Sequence, residues 1–408
     1  MNLRADAAAM REDLVALRRE LHQIPEIGLD LPRTQERVLA ALDGLPLEVS
    51  TGTSLSSVIA VLRGRNLDPP AEARPVVLLR GDMDALPIDE HSGEAYRSRN
   101  AGAMHACGHD LHTAGLLGAA RLLCAHRGEL AGDVVFMFQP GEEGFDGAGH
   151  MIAEGVLTAA GRPVDAAYGL HVTSWLFPRG MFTSRPGSLM AASAGLFVRV
   201  VGAGGHGARP QDALDPVPAA CEMVTALQAM VTRRFDVFDP VVITVGMFHA
   251  GAKRNIIPDD ATFEATIRAF SSATRDRVGE LAVRLCQNVA AAHGLRAEVR
   301  FDAEYPATVN NGAEHAFVAE TVREVFGEER FSYLDNPLTG SEDFSRVLER
   351  VPGAYLFLGA CPSDDPAAAE PNHSPRAVFD DSVLGDGAAL LAELAARRLA
   401  RRNTASGT

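Results

Sequence analysis

Three apolar runs constrain this chain more than any other feature. RPVVLLRGDMDALP, DVVFMFQPGEEG and DAAYGLHV each carry a short apolar stretch rich in Val, Leu, Phe or Ala. Runs of this kind are strands buried on both faces, as in parallel sheets covered by helices. Helical text separates them: LHTAGLLGAARLLCAHR repeats apolar residues at three- and four-residue steps. The alternation predicts a largely parallel α/β sheet, whose ligands bind beyond the carboxyl ends of its strands. Each run delivers chemistry to that edge: Asp82 and Asp84, then Glu142 and Glu143 after a Pro-Gly break, then His171.

Between the first two runs lies MHACGHDLH, Met104–His112. Gly108 permits a sharp backbone turn, so Cys107 and His109 can face one point. Thiolate with imidazole suits zinc, cobalt, nickel or manganese better than calcium. For any one of these residues alone, a buried cysteine or a surface histidine is the ordinary reading. The carboxylates and His171 arriving at the same edge favour a metal site. Asp110 falls in the first turn of the next helix, where a carboxylate suits the helix dipole. Of the adjacent pair Glu142 and Glu143, one can ligate while the other holds the attacking water. A metal lowers the pKa of bound water from about 16 to about 7, and a carboxylate beside it can carry the proton to a leaving amine. His373 in PNHSPR is a lone loop histidine, a type usually found on the surface. It enters because the site needs more ligands than the first half of the chain supplies.

Elsewhere, LVALRRELHQIPE is an amphipathic helix with Leu14, Leu17 and Leu21 on one face, stopped by Pro25, and His22 reads as a helix-end contact. A helix is expected over Thr34–Leu42 and a strand in SLSSVIAVLRG. From about Pro186 the pattern changes to βαββαβ, the ferredoxin-like split arrangement, about a hundred residues long. The expected organisation is a first part of an α/β domain over 1–186, an inserted domain over 187–304, and the second part of the α/β domain over 305–408. GAGGHG at Gly202–Gly207 satisfies a dinucleotide fingerprint, but Ala208-Arg209-Pro210 follow where a helix should begin, so the loop is assigned to ligand contact through His206 instead. RRNTASGT is expected to be a disordered tail.

Composition excludes several classes. A net charge of -15 with no basic face argues against nucleic-acid binding. No stretch is long and apolar enough for a membrane span, and residues 1–20 lack a signal-like apolar run, so a cytoplasmic address is expected. Five cysteines without regular spacing do not make a disulfide framework. Cys124, Cys221 and Cys286 are expected as core fillers, and Cys361 has no assigned role. HExxH, GxSxG and Walker motifs are absent.

The sequence resembles the M20 family of metallopeptidases and amidohydrolases, closest to the branch of hippurate hydrolases, bacterial aminoacylases and auxin-conjugate hydrolases. RRELHQIPEIG, LLRGDMDALP, MHACGHDLHTAGLLGAA, FQPGEEG, GLHV, GGHGARP, NIIPD, GSEDFS and NHSP carry the resemblance nearly end to end. It implies an α/β domain of the zinc-exopeptidase type holding two divalent ions per subunit (Zn, Mn, Co or Ni), with an inserted lid domain used for homodimerisation or tetramer formation. By motif, Cys107 resembles the ligand bridging two metals, and His109, Glu143, His171 and His373 the remaining ligands. Glu142 matches the general base and Asp84 a carboxylate that orients the site. His206 matches a lid histidine that stabilises the oxyanion in a partner's site. Asn255 in NIIPD is a second lid contact, and Arg268 a candidate for a substrate carboxylate. His105 and His112 become supports of the loop and helix start. Peptidase branches use His-x-Asp where this chain has Asp82-Met83-Asp84, which favours N-acyl amino acids as small-molecule substrates. A dipeptidase or carboxypeptidase, an N-acetyl-diaminopimelate deacetylase and a non-catalytic binding protein are the alternatives.

Overall fold

The apolar runs form the middle of an eight-stranded sheet. In the computed structural model, which describes residues 1–65 and 74–401, Val76–Asp82, Asp133–Gln139 and Gly353–Gly359 are buried along their whole length. The strand order is Glu48–Thr51, Val58–Arg63, Asp133–Gln139, Val76–Asp82, Ala166–Thr173, Gly353–Gly359, Phe182–Ser184, Phe331–Tyr333. Four central strands, from Asp133–Gln139 through Gly353–Gly359, are parallel. The sheet as a whole is mixed, which corrects the expectation of a largely parallel one. Val58–Arg63 joins the centre antiparallel, as do Glu48–Thr51 to it and Phe182–Ser184 to Gly353–Gly359.

The helix His109–Ala125 is buried at fifteen of its seventeen positions, so it has no solvent face to pattern. It packs between Arg11–His22 and Leu384–Ala400. The approach is close enough that a Cβ at Gly118 would lie 2.8 Å from the Ala388 Cβ and 2.9 Å from Leu14 Cδ1. Leu14, Leu17 and Leu21 meet Leu117, Leu390 and Leu394 in the same core. The tail from Arg402 onward lies outside the described residues.

The chain divides into two compact units. The first comprises Met1–Leu189, Val309–Asn336 and the segment from Asp343 onward; the second comprises Met190–Thr308 with a short return at Pro337–Glu342. Within the second, Ala192–Val201, Val241–Ala250, Asp260–Ala269 and Arg296–Ala303 form one antiparallel sheet. Asp260–Ala269 and Ala192–Val201 lie at its centre, and Val241–Ala250 and Arg296–Ala303 at its edges. This is the ferredoxin-like strand order. The helices Pro216–Arg234 and Ser272–Ala292 cover the sheet, and Met223, Leu227, Phe263, Ile267, Val278 and Cys286 fill the space between. Cys221, expected as a core filler, is exposed. Ala219, Ala220, Met223, Leu227 and Met230 take the buried face of its helix, and Cys221 falls off that stripe.

Candidate metal centre

The carboxyl edge of the central strands gathers donors from five places in the first unit. Gly108 has φ +88°, and a Cβ there would meet Val172 Cγ2 at 2.5 Å. Only glycine permits this turn against the strand carrying His171. As a result Cys107 Sγ lies 3.4 Å from His171 Nε2 and 3.3 Å from His373 Nε2. His373 Nε2 is also 3.2 Å from Glu143 Oε1, which is 4.0 Å from His109 Nε2. His373 itself takes a left-handed φ of +69°, held by its N–H bond to Ala106 O at 2.8 Å. Backbone strain of this kind persists where the surroundings fix it, commonly at functional sites.

Two overlapping donor sets result. Cys107, His109 and His171 offer atoms within 4.8 Å of one another, and so do Cys107, Glu143 and His373; the cysteine is common to both. His109, Glu142 and Glu143 form a third set of the same compactness. Both ring nitrogens of the fully buried His109 lack a well-formed hydrogen-bond partner. Buried polar atoms normally have one, so these are oriented for something that is not a protein donor. His171 donates from Nδ1 to Val172 O at 2.7 Å, which leaves the Nε2 lone pair facing Cys107. A fixed second nitrogen of this kind is usual for metal-holding histidines. Burial, with His112 nearby, pushes the His171 pKa well down, keeping the ring neutral. Hydrogen bonds to Cys107 and Glu143 push His373 up to about 10, a sign that the pocket stabilises positive charge. Soft sulfur, imidazole and carboxylate arranged this way fit two divalent ions.

Neighbouring groups hold the donors in place. Asp84, 1 % exposed, accepts from the backbone N–H of both Glu142 and Glu143 at 3.0 Å, and its Oδ1 is 3.4 Å from His109 Nδ1. Asp82 is bound by Arg80 and by His112 Nδ1 at 2.5 Å, while His112 Nε2 accepts from Val172 N at 2.8 Å. His112 thereby ties the strand of Asp82 to the strand of His171. His105 is buried, and burial pushes its pKa down to about 3. Asp110 lies in the first turn of its helix, as expected, and pairs there with Arg18 and His22. His22 is accordingly a fully buried partner rather than a simple helix-end contact.

His206, Asn255 and Arg268 lie in the second unit. His206 pairs with Ile256 in a two-stranded ribbon, Gly207 N bonds Asn255 O at 2.9 Å, and Ala208 N donates to His206 Nδ1 at 3.1 Å. The imidazole is exposed, with Nε2 left to donate. Arg268 donates to Thr266 Oγ1 and Ile267 O on its own strand. Sequence reasoning missed Asn372. Its amide donates to Cys107 O at 3.3 Å and Val172 O at 3.2 Å and accepts from Ser174 N at 2.9 Å, pinning the His373 loop to the segments of Cys107 and His171. Its place beside His373 in PNHSPR was the available signal.

Comparison with known proteins agrees with this geometry. Residues 78–397 match the model of peptidase family M20/M25/M40. The chain belongs to the M20 family. It is 34 % identical to thermostable carboxypeptidase 1 of Saccharolobus solfataricus, over 97 % of this chain and 98 % of that one. Hippurate hydrolase of Campylobacter jejuni is 33 % identical, over 98 % and 100 %. A Bacillus subtilis M20 protein described as a dinuclear metal-binding peptidase superposes with a TM-score of 0.81 at 30 % identity, over 96 % of this chain and 99 % of that one. This M20 protein is thus a hydrolase of amide or peptide bonds with a site suited to two metal ions. No helix among its described residues is long and apolar enough to cross a membrane.

Proposed function

We propose that this M20 enzyme cleaves the amide bond of an N-acyl amino acid, releasing a carboxylic acid and an amino acid. The observation that carries the reading is the Glu142–Glu143 pair. Asp84 holds both backbone N–H groups, and Glu143 reaches the Cys107–His373 donors while Glu142 stays buried beside them. Cys107 would bridge two ions, with His109, Glu143, His171 and His373 as the other protein ligands. Zinc, manganese, cobalt and nickel all suit that set. Such ions, when bound, polarise an amide carbonyl and acidify water. Glu142 takes the proton of the attacking water and delivers it to the leaving nitrogen, and Asp84 holds the turn that carries both glutamates. His206 supplies an N–H to the developing oxyanion, acting from one subunit of a homodimer, or of a tetramer, upon the other. Asn255 and Arg268 contact the substrate, Arg268 at its carboxylate. The second unit, as lid and dimerisation domain, would associate through the exposed Val242, Met247 and Phe248 of its edge strand. Five free cysteines, one of them a needed donor, suit a reducing cytoplasm.

Similarity to a carboxypeptidase makes a peptide bond the second reading. Turnover of N-acetyl, N-benzoyl and indole-acyl amino acids beside dipeptides separates the two, and binding without turnover across the panel would overturn both. Glu142→Gln should retain metal and lose about 10²–10⁴-fold in kcat, whereas Cys107→Ala should lose metal as well. Near-native turnover by Glu142→Gln would remove the base assignment. Mixing His206→Ala with Glu142→Ala chains should restore part of the activity. Absence of rescue, with subunit exchange shown, would take His206 out of a partner's site.

A further inference from the structure

A second buried charge cluster lies on the far side of the metal-holding loop, and the proposed reaction does not use it. Its node is Asp110, fully buried and next in sequence to His109. Asp110 Oδ2 lies 2.6 Å from Arg18 Nε and 2.8 Å from His22 Nδ1. Arg18 is 1 % exposed and His22 2 %. His22 Nε2 continues to Glu90 Oε1 at 3.2 Å, and Glu90 Oε2 accepts from Ser98 N at 2.6 Å. The Arg18 guanidinium also covers the Tyr96 ring at 4.8 Å and lies 3.6 Å from Asp381. Asp110 thus fastens the helix Arg11–His22 to the first turn of His109–Ala125, and His22 extends the link to the loop of Glu90.

Stability gives little reason for such a cluster. Replacing a buried ion pair with apolar groups of similar size is often neutral or favourable, so its retention points to a positioning role. Here that role has an object. The contact of the His109 ring with Asp84 is long, 3.4 Å from Nδ1, and no side chain caps its helix. Its direction therefore depends also on where the first helical turn sits, and that turn is tied down by Asp110.

We infer that Arg18 and His22 are positioning residues for the donors Cys107 and His109, acting through Asp110. The inference rests on the reading of Cys107 and His109 as metal donors. The metal content of Cys107→Ala tests that reading by itself; the positioning role is tested by release rates in variants that leave every donor in place.

The test is release of metal from the holoenzyme to a chromophoric chelator, with melting temperature and kcat and KM measured alongside. The double variant Arg18→Met with Asp110→Asn removes the ion pair without leaving a lone buried charge. It should melt near the native enzyme, release metal about 10–100-fold faster, and lose kcat with KM little changed. His22→Phe keeps the ring volume and loses the bond to Asp110; it should release metal faster, whereas His22→Asn, whose amide can stand in for Nδ1–H, should recover most of the native rate. Native release rates in the folded double variant, or in His22→Phe, overturn the inference. Equal acceleration in His22→Phe and His22→Asn also overturns it, since the bond to Asp110 would then not be what matters.

Discussion

The two units bury different things. The second packs Leu196, Met223, Leu227, Phe263 and Ile267 between sheet and helices, and sets Arg199, Asp260, Arg296 and Glu298 in an ion-pair ladder at its surface. The first closes over Arg18, His22, Arg80, Asp82, Asp84, His109, Asp110 and Asp343. Burying charge is costly even when it is paired. The first unit therefore carries more of this cost than the second, where Arg275 and Glu342 are the buried charged residues among those described, and its charges sit around the donors proposed to hold metal. An apolar core suffices to make a domain fold; a core laced with ion pairs fixes where particular side chains point.

The sharpest way to break this contrast is Arg80→Met. Arg80 serves both Asp82 and, at 3.1 Å, Asp343, all three with no side-chain exposure. Removing it leaves two buried carboxylates short of their cation, and chemical denaturation should show a loss of about 3–5 kcal/mol. Metal content should fall too, because Asp82 lies 3.6 Å from His109. A loss within experimental error would mean that the interior charges of the first unit are incidental. The matching substitution in the second unit is Leu227→Ala, which should cost about 2–5 kcal/mol through its cavity and leave metal content native. Metal loss in Leu227→Ala would show that the apolar unit also sets donor geometry.

The same contrast explains how far the sequence could be read. The apolar core of the second unit follows from alternation in Asp260–Ala269 and helical spacing in Pro216–Arg234, so its βαββαβ order was legible. The central strands, with the polar groups at their ends, were legible instead as continuous apolar runs buried on both faces. Strand direction at the flank was not: Val58–Arg63 is buried on both faces and has the composition of a parallel strand, though it runs antiparallel. The three-residue strands Phe182–Ser184 and Phe331–Tyr333 are too short to show a period. Least legible were the buried pairs. His22 and Asp110 are 88 residues apart, and no local pattern announces which buried carboxylate meets which cation.

Asp84→Asn sharpens the comparison inside the first unit, between charge that stabilises and charge that aims. The carboxylate accepts two backbone N–H bonds with its two oxygens; an asparagine amide offers one oxygen and turns an N–H₂ toward the other donor. Fold stability should change little beside Arg80→Met. Activity should fall about 10–100-fold, or about 1.4–2.7 kcal/mol of barrier, because the Glu142–Glu143 turn loses one of its two anchors. Native kcat in Asp84→Asn would return Asp84 to the purely structural side of the comparison.

The smallest effect belongs to Glu90, at the outer end of the Asp110 cluster. Burial would raise its pKa, but hydrogen bonds from His22, Ser92 and Ser98 hold it down to about 2, against an ordinary 4.5. His22, although burial opposes it, is raised by Asp110, so it stays protonated throughout the acid range. A carboxylate held down in the folded state contributes stability that is complete above the unfolded pKa and lost as pH falls through the folded one. The contribution of Glu90 is therefore full above about pH 4.5 and fades toward pH 2. Melting curves of Glu90→Gln and the native enzyme should accordingly differ by a few degrees at neutral pH and converge between these limits. A gap that stayed constant from pH 5 to pH 3 would mean that the charge of Glu90 contributes nothing. The cluster would then act on the metal-holding loop through Arg18 and Asp110 alone.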